Sequence, residues 1–97
     1  MIEQKDKELL KSLGYAQCTD QSEKYNKHVK NIDGDDFTLQ IWTINPVEQR
    51  LFHAKYAAKA KYRYNSHFGS WLDDFYSNDV VELDKKMMEN IEKYQDW

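Results

Sequence analysis

Between residues 37 and 44 the chain reads FTLQIWTI, with Phe37, Leu39 and Ile41 alternating against Thr38, Gln40 and Trp42. An apolar residue at every second position predicts a strand buried on one side only. Its wet side still carries a tryptophan. Upstream, YNKHVKNI at 25–32 is separated from this strand by Asp33-Gly34-Asp35-Asp36, and the pair reads as an antiparallel hairpin. Residues 15–24 show no firm period and read as a loop or a short strand. Asn45-Pro46 ends the hairpin's second strand, because proline has no N–H for a ladder and restricts the residue before it.

From Arg50 the alternation resumes. One side receives Phe52, Ala54, Tyr56, Ala58, Ala60, Tyr62 and Tyr64, and the other Leu51, His53, Lys55, Ala57, Lys59, Lys61 and Arg63. A helical wheel scatters these cations, so the period favours a third strand over 50–65 despite four alanines. Sixteen extended residues would exceed about 50 Å, too long for a small domain. A bend is therefore expected, at Ala57-Ala58.

Helical spacing marks both ends. Ile2, Leu9, Leu10 and Leu13 form a narrow stripe, with Gly14 placed to close a first helix at about 3–13. Ser70 is a candidate cap for a short turn carrying Trp71, Leu72 and Phe75. Asp79 followed by Glu82 is a capping box, opening a helix from about 80 to 95 with Val80, Leu83, Met87, Ile91 and Tyr94 on one stripe. The expected fold is α+β: an N-terminal helix, a three-stranded antiparallel sheet and a C-terminal helix packed on it, all in a single domain over 1–97.

Composition fits a soluble globular chain: 97 residues, 40% hydrophobic and 32% charged, with seven Tyr, four Phe and three Trp supplying much of the buried area. A single cysteine, Cys18, excludes an internal disulfide and suits a cytoplasmic setting. Neither a leader pattern nor a membrane-length apolar run is present. Charge is unevenly spread within the net of −3. Residues 50–65 carry five cations and no acid, while residues 71–97 carry eight acids against three lysines.

Catalytic readings find little footing. Cys18 with His28, His53 or His67 has no nucleophile signature around it, and the histidines and cysteine lack metal spacings. A calcium loop starting at Asp33 needs glutamate at its twelfth position, which is Ile44. Asp73 and Asp74 are neighbours, which on a helix diverge. No glycine-rich phosphate loop occurs. No catalytic residue, cofactor or metal is expected, and binding is the remaining class.

Three surfaces are candidates. The first is the basic face of His53, Lys55, Lys59, Lys61 and Arg63. The second is the acidic side of the last helix: Glu82, Asp84, Glu89 and Glu92. The third is Trp42, an aromatic anchor if exposed and a core residue if the first helix covers it. A single-strand nucleic-acid platform needs rings and positive charge on one face, and Tyr56, Tyr62 and Tyr64 alternate away from the lysines. That leaves a protein partner, phosphate contacts to DNA or RNA, or lysines that merely keep a sheet face soluble. A homodimer through an exposed edge strand stays open.

In its short length, its Lys, Asn and Tyr usage and its α+β pattern, the chain resembles the accessory proteins of bacteriophages and mobile elements, including anti-CRISPR inhibitors. The resemblance implies a non-enzymatic inhibitor that works in the host cytoplasm by occupying a surface of a host defence or nucleic-acid-handling protein. A DNA- or RNA-binding protein is the alternative.

Overall fold

The computed structural model describes residues 2–18, 21–62 and 74–93. Among them the order is α1 (Gln4–Ser12), β1 (Ala16–Cys18), β2 (Gln21–Lys30), β3 (Asp36–Thr43), α2 (Pro46–Phe52), β4 (Tyr56–Tyr62), β5 (Phe75–Ser77) and α3 (Val80–Glu92). The class is α+β, but the sheet has five antiparallel strands in the order β1-β2-β3-β4-β5, not the expected three. The two additional strands, β1 and β5, are three residues each. That is too short for alternation to stand out, and Phe75 accordingly lies in a strand and not in the expected turn. Ser70, Trp71, Leu72 and Tyr94 lie outside the described residues.

The hairpin of β2 and β3 pairs Tyr25 with Ile41, Lys27 with Leu39 and Val29 with Phe37; β4 continues these rows with Ala58, Ala60 and Tyr62. Partners across a ladder share a face, so one face is apolar. Phe37, Leu39, Ile41, Tyr56, Ala58 and Ala60 on it are fully buried. The hairpin's turn is tied to α3. Asn31 Oδ1 accepts from the Asp33 and Asp35 N–H groups, while Asn31 Nδ2 donates to the Ile91 carbonyl of α3. Gly34, at φ 84°, supplies the left-handed step of that turn.

Both α1 and α3 cover this apolar face. From α3 come Val80, Leu83, Met87 and Ile91, each with no exposed surface. The Asp79 carboxylate accepts from the Val81 and Glu82 N–H groups, as a cap should. Glu82, however, does not reach back directly. Ser77 Oγ donates to Glu82 Oε2 and accepts from the Asp79 N–H, relaying the second half of the box.

The inner line of α1 runs Ile2, Asp6, Leu10, Leu13 and not through Leu9, which is 40% exposed. A buried carboxylate must be satisfied. Tyr56 donates its hydroxyl hydrogen to Asp6 Oδ2 at 2.5 Å. A second polar tie joins three elements: Lys27 Nζ lies 2.7 Å from Asp84 Oδ1 on α3 and donates to the Leu13 carbonyl, and the Tyr15 hydroxyl donates to the same Asp84 oxygen.

The stretch read as one strand over 50–65 divides instead. Asn45-Pro46-Val47-Glu48 is a helix start: Asn45 Oδ1 accepts from the Glu48 N–H, Glu48 Oε1 accepts from Asn45 Nδ2, and Pro46 takes the first turn, where its missing N–H is harmless. Then α2 closes at His53, in the left-handed region at φ 53°. The excess length is therefore absorbed by a helix and its cap, not by a bend at Ala57-Ala58. From Tyr56 onward the alternation holds its expected phase. Tyr64 and Arg63 lie outside the described residues.

Burial, reinforced by the neighbouring Asp6 and Asp84 carboxylates, raises the pKa values of Tyr56 and Tyr15 above the ordinary tyrosine range. A raised folded-state pKa means the associated stability is intact below about pH 10, the unfolded tyrosine value, and is lost as pH climbs through the folded value. Urea melts should therefore hold steady at neutral pH and weaken above about pH 10. Tyr56→Phe should lower neutral stability by about 1–3 kcal/mol, because Asp6 loses its donor, and should make the alkaline decline shallower.

Candidate functional site

The ladder that buries one sheet face fixes the composition of the other. Lys24 pairs with Trp42, Trp42 with Ala57 and Ala57 with Tyr76, giving a row across four strands. Beside it run Asn26, Gln40 and Lys59, then His28, Thr38 and Lys61. Since α1 and α3 occupy the opposite side, among the described residues no helix lies over these rows except where Phe52 of α2 reaches in. Its ring stacks on Tyr76 with centroids 4.1 Å apart and planes 7° from parallel.

Trp42 is half-buried on this face and is not covered by α1. The Lys59 ammonium sits 5.5 Å from its ring centroid, a cation–π contact, and 4.0 Å from Asp74. Gln40 donates to Asn26 at 3.0 Å, and Thr38 Oγ1 lies 3.0 Å from His28 Nδ1. Larger aliphatic side chains are absent from the rows just named. The face carries lysines, amides, a hydroxyl, an imidazole, rings and the buried Ala57, with the Asp74 carboxylate beside Lys59 and both Asp74 and Glu48 close enough to act on Tyr76.

The predicted basic face is only partly assembled. Lys59 and Lys61 project together, but His53 caps α2, and Lys55 turns to the α1 side, where its ammonium donates to Glu3 Oε1 at 3.0 Å. Lys24, from the stretch without a readable period, joins the cations in their place. Tyr76 and Phe52 were also beyond the sequence: Tyr76 sits in a three-residue strand, and Phe52 belongs to a helix mistaken for strand. The signal that was present is that Trp42 and Lys59 both fall on wet phases of strands that later prove adjacent.

The acidic residues of α3 are largely engaged by the chain itself. Glu82 holds Lys86 and Ser77, Asp84 holds Lys27 and Tyr15, and Glu92 Oε1 accepts from the Ile32 N–H at 2.8 Å. Glu89 is exposed and lines a shallow groove with Phe75, Lys86, Asn90 and Lys93. Among the described residues no group of three or more His, Cys, Asp or Glu side chains is arranged to hold a metal ion. Asp6 lines a surface cleft with Lys5, Leu9 and Lys55, but its carboxylate already serves Tyr56.

The Lys55 pairing gives a direct check on this division of the cations. Its hydrogen bond and charge hold the Glu3 carboxyl below its ordinary value of 4.5. Carboxyl NMR titration should find Glu3 ionising below that value in the wild type and returning towards it in Lys55→Ala, with Lys59→Ala leaving it unchanged. Comparison of the chain with protein-family models, curated proteins and solved structures found no match.

Proposed function

We propose that this chain is a binding module without catalysis of its own, acting through the sheet face opposite α1 and α3 on a partner that presents negative charge. The observation carrying this reading is the register that brings Lys24, Lys59 and Lys61 onto the same face as Trp42 and Tyr76. Positive charge there opposes the net charge of −3. It follows that a partner is drawn to one side of the molecule, not to its average.

An inhibitor of the phage accessory kind would lay this surface on an acidic region of a host protein. The apolar part of such an interface would come from α2, in which no residue is buried and Val47 and Leu51 are 65% and 70% exposed. Exposed aliphatic groups of this size suit a protein interface.

Retention on immobilised heparin, a polyanion, separates a focused face from net charge. The wild type should bind at low salt and elute late in a salt gradient. Lys24→Glu, Lys59→Glu and Lys61→Glu combined should abolish retention. Lys11→Glu, Lys85→Glu and Lys93→Glu combined change the net charge equally but lie at exposed positions on α1, on α3 and at the cap of α3, and should leave most of the retention intact. Equal loss from both sets would refute the assignment of the face.

A further inference from the structure

We infer that the ligand of this face is a single-stranded nucleic acid, whose bases stack on Trp42 and on the Phe52–Tyr76 pair while its phosphates meet Lys24, Lys59 and Lys61. The inference rests on the sheet-face reading above and adds the ligand's chemical class. Sequence alternation alone argues against such a platform, because the tyrosines of 50–65 point away from the lysines. The structure supplies rings from elsewhere: Trp42 of β3, Tyr76 of β5 and Phe52 of α2 all meet the lysine face.

The composition of the face decides between the two classes of macromolecule. Protein interfaces bury a desolvated centre in which lysine is depleted. Here lysine is the commonest residue of the rows, and Ala57 is their sole aliphatic side chain. Single-strand binding needs the opposite mixture: rings that accept any base and cations that follow the backbone. Lys59 and Lys61, two positions apart on one strand, project about 6.6 Å apart. Tyr76 lies two strands from Trp42 in the same row, about 10 Å across the sheet. In the rows beside theirs, Asn26, Gln40 and Thr38 of β2 and β3 offer donors and acceptors for base edges. Lys59 already rests over the indole. Its flexible stem lets it give up the ring to a base and exchange its 4.0 Å contact with Asp74 for the adjoining phosphate.

The test uses fluorescein-labelled oligothymidylate and oligouridylate of about 15 nucleotides, near the upper site size for one such face, with a blunt DNA duplex as control. Binding is read by anisotropy, and stacking by indole emission in a Trp71→Phe/Trp97→Phe background that leaves Trp42 as the only tryptophan. The single strands should bind, quench the indole and outcompete the duplex. Trp42→Ala should weaken binding about tenfold or more, and Trp42→Phe should retain most of it. Lys59→Ala with Lys61→Ala should reduce the slope of log affinity against log salt by roughly 1.4. Circular dichroism on each variant separates lost binding from lost folding. Duplex binding as tight as single-strand binding, or binding indifferent to Trp42→Ala, would overturn the stacking assignment. If heparin retention depends on Lys24, Lys59 and Lys61 while the oligonucleotides neither bind nor quench, the ligand is a protein: this inference fails and the sheet-face reading stands. Failure of both tests removes both.

Discussion

The position of β3 at the centre of the sheet is the constraint on which the rest of the molecule depends. It is paired on both sides, and a slip of one residue against either neighbour would send Phe37, Leu39 and Ile41 into water and Trp42 into the core. Fully burying each of those three side chains is worth about 1.5–3 kcal/mol, so the correct register is strongly preferred. The choice that builds the core also fixes which side chains stand on the other face. Core and candidate site are two consequences of one register.

Polar ties then orient the helices over that core. Asp84 gathers Lys27 of β2 and Tyr15, which follows α1, at one end of the seam, and Asp6 accepts from Tyr56 beneath α1. These contacts are short and sheltered, unlike the exposed pair of Glu3 and Lys55. They also change how the charge of the chain should be viewed. Asp6, Asp84 and Glu92 hold the fold on the side of α1 and α3, and Lys24, Lys59 and Lys61 stand on the opposite sheet face. A protein with more acids than bases can thus present a basic surface.

Much of this was readable from residue order, and the failures have definite causes. The two long helices were visible because their stripes repeat over several turns and Asp79 marks a start; β3 was visible because one side of it is wholly apolar. The third helix escaped because a seven-residue helix offers less than two turns of periodicity, and Val47, Leu51 and Phe52 bury too little to form a stripe. Its cap was nevertheless present in Asn45-Pro46-Val47-Glu48, where proline signals a helix start as well as a strand end. Asp6 was overlooked because polarity alone assigns an acid to water. Its partner lies fifty residues away.

By itself, the sequence determined the phase of three elements: which side of β3 and β4 is apolar, which stripe of α3 turns inward, and so that Trp42, Lys59 and Lys61 fall on wet positions. Phase is a local property, set by the geometry of a strand or helix repeating along the chain. Tertiary structure decided which phases meet. Long-range pairing put Lys24 opposite Trp42, placed Tyr76 two strands beyond it and sent both helices to one side of the sheet. Adjacency of this kind depends on loop paths and on competition for the apolar face, which no local period encodes.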